Sequence, residues 1–348
     1  MQIYKYVIKI SKFAVMKKIT TLFGFFSLLF ISCETDFNVN AEWEEVTVVF
    51  GLLDQTQDKQ YIRINKAFLG NESAYVMASV ADSINYNPEN LEVKIHKLSS
   101  SGNISSTKIL IDTIINKDDG LFSSEENIIY IFDSPSTDNF LNEDREYQLE
   151  VKNLVSGKVI TSNTKLINNL TLMSAFNNPS YKMGLYNSTS DEFSNVTIEW
   201  THAKNAYIYQ MTMMVNYTEY GLDTTEKTIS KIYPIIQYEG SPNMNQRIMG
   251  EEFFNFIAYE VKGDNTVNRR LNNIDLLFTL GSSYLNTYIT LNEAPTGIVQ
   301  ERDLFTNING GIGLFTSRYN KLQESIFLTS GTKEAIATHL DSLNFMFP

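Results

Sequence analysis

Residues 46–65 read VTVVFGLLDQTQDKQYIRIN. Two apolar runs flank a polar stretch that holds Asp54 and Asp58, which is the pattern of two strands joined by a turn. In the second run Ile62 and Ile64 alternate with Tyr61, Arg63 and Asn65, the period of two of a strand with one buried face. In the first run Val46, Val48 and Phe50 are read as the buried face.

The same period recurs down the chain. Leu91, Val93 and Ile95 alternate with Glu92, Lys94 and His96; Ile109 with Ile111, Ile128 to Phe132, and Tyr147, Leu149 and Val151 follow; Ser156 and Gly157 turn into Val159 to Thr161. Short strands spaced in this way predict an all-β sandwich between Glu44 and Thr164. Ala74 to Ile84 interrupts the pattern with a spacing that predicts a short helix.

A polar stretch around Ser162 to Asn169 precedes a second series, which places a domain boundary near residue 166. There Val196, Ile198 and Trp200 form one strand face, and Tyr207, Tyr209, Met211, Met213, Val215 and Tyr217 form another. GEEFFNFIAYEV (250–261) has the three- and four-residue aromatic spacing of a helix. Ile274 to Leu291 reads as two strands flanking Gly281 and Ser282, and Ile336, Leu340, Leu343 and Phe347 mark a C-terminal helix from about Thr332.

A chain of 348 residues is long enough for two cores, and 43% apolar with 20% charged residues describes a folded body rather than a disordered one. Residues 1–32 hold five lysines (Lys5, Lys9, Lys12, Lys17, Lys18) and no acid. Without them the 28 basic residues fall to 23 against 40 acidic ones, a net charge of −17. Such a surface repels a phosphate backbone, and no basic patch offsets it, so nucleic acid is not an expected partner.

Lys17 and Lys18, the 14-residue apolar run from Ile19 to Ser32, and Cys33 have the layout of a secretory signal, and Met16 is the expected initiator. The run is shorter than the roughly 20 apolar residues of a spanning helix. Phe30, Ile31, Ser32 and Cys33 resemble the bacterial lipobox, which implies cleavage before Cys33, lipid on that residue and anchoring in the outer membrane. Glu34, Thr35 and Asp36 resemble acidic export signals of surface lipoproteins in the Bacteroidota. LNEDREYQLEV (141–151) resembles the tyrosine corner of immunoglobulin-like folds, and Val196 to Tyr209 resembles the opening of a fibronectin type III domain.

Together with VTVVFGLLD, QYIRINKAFLG and GGIGLFTSR, these features resemble a group of uncharacterised Bacteroidota lipoproteins. The resemblance implies a cell-envelope protein of a group often encoded beside TonB-dependent receptors, with such a receptor as a candidate partner, and supplies no catalytic residue. The expected organisation is a signal peptide (1–32), a lipidated tether (33–43), an Ig-like β-sandwich (44–165) and a fibronectin III-like β domain (166–348) with helices near 250–261 and 332–345. Asp82-Ser83-Ile84, Asp112-Thr113-Ile114, Asp223-Thr224-Thr225 and Asp341-Ser342-Leu343 resemble three-residue O-glycosylation sites of exported Bacteroidota proteins.

The residues that carry chemistry are sparse. The single cysteine excludes an internal disulfide, and His96, His202 and His339 have no ligand partner at zinc spacing. His96 is assigned to a solvated strand face and His202 to a strand end. GGIGLF (310–315) lacks the later glycine or lysine of a phosphate or dinucleotide loop and is read as a bend or a tight packing point. Adjacent acids such as Glu44–Glu45, Asp118–Asp119 and Glu251–Glu252 point apart on a strand, and DQTQD (54–58) has too few oxygens for a calcium loop. No cofactor, metal or catalytic residue is therefore assigned. The favoured reading is a non-enzymatic lipid-anchored binding or accessory module for an outer-membrane transporter or an extracellular ligand. The alternatives are a lipid-anchored hydrolase or glycan-processing enzyme, and a structural or adhesive surface protein.

Overall fold

The two runs of 46–65 form an antiparallel hairpin of β1 (Thr47–Asp54) and β2 (Lys59–Lys66), with Val49 opposite Ile64. The computed structural model describes residues 46–67, 84–116, 127–173, 176, 178, 180–292 and 304–347. Gln60 closes the turn: its side chain accepts from Asp54 N and donates to Asp54 O, both at 2.8 Å. The expected helix at Ala74 to Ile84 lies almost wholly outside the described residues, as do Cys33 and the apolar run before it.

The protein is mainly β. The chain continues through β3 (Leu91–Leu98), β4 (Ile104–Ile109), β5 (Ile111–Ile114), β6 (Ile128–Asp133), β7 (Glu146–Asn153) and β8 (Val159–Lys165). Four two-residue strands follow: β9 (Thr171–Leu172), β10 (Lys182–Met183), β11 (Tyr186–Asn187) and β12 (Glu192–Phe193). Then come β13 (Val196–Thr201), β14 (Ile208–Tyr220), β15 (Thr224–Ile232), β16 (Ile236–Gln237) and β17 (Asn243–Ile248). Helix α1 (Gly250–Glu260), β18 (Asn268–Gly281), α2 (Ser283–Asn292), β19 (Ile312–Leu328) and α3 (Ser330–His339) complete it.

One sheet runs β15-β14-β18-β19-β1-β2-β6-β5, with β10 and β16 attached to β19 and β14. A four-stranded sheet, β4-β3-β7-β8, packs over its β1-β2-β6 part, and β17-β13-β9 over its other part. Two cores result. One is built from Val49 through Leu166 and also takes Ile308 and Phe315; the other runs from Ile167 to Phe345 around Trp200, Phe278 and the β14 methionines. The change of core thus falls at Leu166 and Ile167, while the ten-stranded sheet passes through both stretches and residues 45–348 form one compact unit.

The sheet is continuous because β1 pairs in parallel with β19, Val48 opposite Ile312 through Asp54 opposite Arg318. GGIGLF makes this approach feasible, as the tight-packing reading of that segment implies. At Gly313 φ is 113° and a Cβ would lie 2.0 Å from Val49 O; at Gly311 a Cβ would lie 2.7 Å from Thr47 O. At the far end of the second core, buried Arg269 donates to Glu219 (2.9 Å), Leu343 O (2.7 Å) and Lys262 O (3.0 Å), holding the C-terminal segment to β18.

Some expected faces are inverted. In β1 Thr47, Val49 and Leu53 are buried while Phe50 is 38% exposed, because the second face of this central strand is partly covered by α2. Ile109 and Ile111 are exposed and Leu110 between them is buried, where the chain leaves β3 for β6. The second half of Ile274 to Leu291 is a helix rather than a strand: Ser282 Oγ accepts from Leu285 N at 3.2 Å and caps it. The C-terminal helix starts at Ser330, capped by Thr329, and gives way at Leu340 to a 3-10 turn that ends on left-handed Asn344. His96 is buried rather than solvated, since β4 and β7 flank it and Thr107 Oγ1 lies 2.8 Å from its Nδ1.

Two tyrosines fasten loops to strands. Tyr147 OH donates to Phe140 O (2.7 Å) and accepts from Asn142 N (2.6 Å), the contact expected of 141–151. Tyr209 OH accepts from Ala203 N at 2.9 Å.

Gly313→Ala should lower stability by about 3 kcal/mol or more, because a strained φ and a backbone collision coincide there. Gly102→Ala, at φ 84° with open space around it, should cost about 1 kcal/mol in the same denaturant titration. Equal losses would contradict the role given to Gly313. Burial pushes the hydroxyls of Tyr147 and Tyr209 up to about 12, against about 10 in an unfolded chain. The folded state keeps protons that the unfolded state releases, so stability is complete below about pH 10 and falls as pH rises toward 12. Denaturant midpoints between pH 9 and 12 should show that fall, and Tyr147→Phe should reduce it while lowering neutral-pH stability by about 1–2 kcal/mol.

Candidate functional site

A concavity lies where β1, β2 and β19 expose their second face beneath α2. Its volume is about 430 Å³, within the range of small-molecule sites. Strand alternation supplies the floor: Phe50 and Leu52 from β1, Tyr61 and Arg63 from β2, Leu314 and Arg318 from β19. Leu285 and Tyr288 of α2 overhang it, and the Tyr288 ring meets Phe50 edge-on at 5.7 Å.

Local sequence explains how α2 reaches that position. At Gly281 a Cβ would lie 2.8 Å from both Ile208 and Leu285, so only glycine lets the chain turn back over the sheet so closely. Ser282 then caps the helix and shares a 2.5 Å hydrogen bond with Thr316 of β19. The overhang is thereby fixed to the strand that forms part of the floor.

The two ends of the groove differ in electrostatics. At one, Asp54 is almost fully buried and its carboxylate has four donors: Arg318 Nε (3.0 Å), Asn320 Nδ2 (2.7 Å), Thr56 N (3.0 Å) and Thr56 Oγ1 (2.5 Å). The Arg318 charge is thus answered within the protein. DQTQD does more than turn the chain, since its first residue ties β1 to β19. Arg63, at the other end, donates its Nε to Asn65 Oδ1 at 2.6 Å and has no carboxylate partner among the described residues. Burial pushes its guanidinium below the ordinary arginine value. Lys59, at the Asp54 end of the hairpin, has Asp133 at 3.7 Å, both exposed.

A second, polar concavity of about 250 Å³ gathers Glu143, Asp144 and Glu146 with Lys204. These carboxylates are engaged by the fold: Glu143 accepts from Asn169 N (3.1 Å), Glu146 from Asn163 Nδ2 (2.8 Å), and Asp144 faces Lys204 at 3.9 Å. The histidines are also engaged separately. His202 stacks on Tyr238 at 3.5 Å, its Nδ1 lies 2.8 Å from Tyr209 OH, and burial lowers its pKa; His339 contacts Ala335 O at 3.0 Å. Among the described residues no three His, Cys, Asp or Glu side chains are grouped to hold a metal, and no helix is long and apolar enough to cross a membrane. Of the glycosylation-like triplets, Thr224 and Thr225 are exposed on β15, whereas Thr113 is half-buried on β5.

Sequence alone gives no residue of the groove a site role: strand alternation places Phe50 in the core and Arg63 on a wet face. The available signal was Phe50 and Leu52 standing in register with Asp54 on the face opposite Val49 and Leu53.

No family model matches the chain, and no curated protein matches it. Among solved structures, it is similar to a DUF4785 family protein from Legionella pneumophila (10% identity, TM-score 0.19), covering 67% of this chain and 52% of that one. It is also similar to trypsin-activated alpha-2-macroglobulin from Escherichia coli (9% identity, TM-score 0.19), covering 71% of this chain and 15% of that one. The chain therefore spans about half the length of the first and a small part of the second. Neither likeness, at that TM-score, bears on fold or function.

Asp54→Ala should cost about 2–3 kcal/mol, because it leaves donors on Arg318, Asn320 and Thr56 without their acceptor. Asp58→Ala, exposed in the same loop, should stay within about 0.5 kcal/mol. Thermal melts of both variants check this, and matching melts would remove Asp54 from its proposed place between β1 and β19.

Proposed function

We propose that the protein is a non-enzymatic, lipid-anchored component of the cell envelope that binds a ligand in the groove between α2 and the β1-β2-β19 floor. The observation that carries the reading is the groove itself: aromatic and aliphatic walls, a few polar groups, and an overhang fixed by Gly281 and Ser282. Such a lining suits binding. The carboxylates of the polar concavity are occupied in holding loops and strands, which gives the hydrolase alternative little support.

The anchor rests on the sequence from Lys17 to Cys33, with Cys33 diacylated and inserted in the outer membrane. An outer-membrane partner such as a TonB-dependent receptor belongs to the same proposal and rests on the family resemblance alone. The Tyr147 contact supports an Ig-like reading of 44–165. Trp200 packed against Tyr209 at 5.9 Å supports a fibronectin III-like reading of 166–348, in which β14 and β18 join a shared sheet.

Replacing Cys33 with Ala should release the protein from the membrane fraction, while the unaltered form remains bound and is labelled on intact cells by an impermeant reagent. A Cys33→Ala form that stays in the membrane would refute the anchor.

A further inference from the structure

Arg63 is the cation of the groove that no carboxylate answers among the described residues. Arg318 is neutralised by Asp54, and Lys59 has Asp133 beside it. Asn65 holds Arg63 in place: it accepts from Nε at 2.6 Å and is itself fixed by donating to Asn85 Oδ1 (2.9 Å) and Ile84 O (3.1 Å). The guanidinium is thus oriented through one of its five N–H groups, and its terminal nitrogens make no described hydrogen bond.

A half-buried cation of fixed orientation beside apolar rings is costly unless an anion meets it. The planar fork of terminal N–H groups matches a carboxylate, which it can bind through two parallel hydrogen bonds. The rest of the lining is of opposite character. Phe50, Leu52, Tyr61, Ile129, Tyr288 and Leu314 offer aromatic and aliphatic surface, which calls for a body without charge. A generally basic surface is not the cause, since the chain carries a net charge of −12.

We infer that the groove binds a small organic carboxylate with an aromatic or aliphatic body, its head on Arg63 and its body along Phe50 and Tyr288. This rests on the reading of the groove as a ligand site.

The test is calorimetric titration of the full chain in lipid nanodiscs, blanked against empty nanodiscs, with 4-phenylbutanoate, 4-phenylbutanamide and acetate. The acid should bind, its neutral amide and the bodiless acetate should bind at least about tenfold more weakly, and Arg63→Met should remove that advantage of the acid. Arg63→Lys, which keeps the charge without the fork, should fall between. Equal binding of acid and amide, unchanged in Arg63→Met, would overturn the carboxylate assignment and leave the groove as a site for neutral ligands. Binding of neither compound would overturn both this inference and the groove as a ligand site, while release of Cys33→Ala protein would still stand as a separate result.

Discussion

The parallel pairing of β1 with β19 is the constraint on which the architecture depends. It joins the first described strand to the last, and without it the ten-stranded sheet would end at β19 on one side and β1 on the other. It also completes the N-terminal core, because Phe315, fully buried, and Ile308 come from the C-terminal stretch. Two local features make the contact possible: glycine at 311 and 313, where a side chain would strike β1 backbone, and Asp54, whose buried carboxylate finds its donors on β19. Further links run the same way, from Ser317 to Lys165 O (2.7 Å) and from Tyr319 to Asn169 (2.8 Å).

The same pairing creates the groove. The second face of β1 carries Phe50 and Leu52, and α2 covers only part of it. Phe50 is the result: too apolar for an open surface, packed on Tyr288, yet more than a third exposed. The contrast between Arg318 and Arg63 follows from what lies beside each. β1 ends in Asp54 next to Arg318, whereas among the described residues Arg63 is met by neutral Asn65.

Sequence reading succeeded where one face is buried and the other wet. Ile62 and Ile64, Leu91 to Ile95, and Tyr209 to Tyr217 take the places their alternation predicts. The turn and corner chemistry around Tyr147 and the tight packing at GGIGLF were legible for similar reasons, since few conformations suit those residues. It failed where both faces are apolar or the chain changes sheets, as at Val48 to Phe50 and Ile109 to Ile111. It failed again at α2, whose aromatic and β-branched residues favour a strand while Ser282 and the Gly281 turn decide for a helix. The groove was illegible because its walls come from residues up to 268 positions apart, as with Phe50 and Arg318. Whether a charge such as Arg63 is paired is a property of the packed fold that neighbours in sequence do not reveal.

Joining the chain's two extremes also sets an order of assembly. Asp54 and Arg318 are separated by 264 residues, so as the polypeptide emerges from its N-terminus the β1-β2 hairpin must wait for nearly the whole remaining chain. In that interval the β1 edge presents unsatisfied backbone groups and the first core lacks Phe315. The β14-β18-β19 part, by contrast, pairs antiparallel over shorter separations and can collapse around its own core. Long-range closure of this kind is slow, and the waiting edge is where a partly folded chain would meet another copy of itself. Pairing with β2, across the turn that Gln60 closes, satisfies the inner edge of β1, and β6 covers the outer edge of β2 long before β19 is made, so the longest exposure is that of the outer edge of β1.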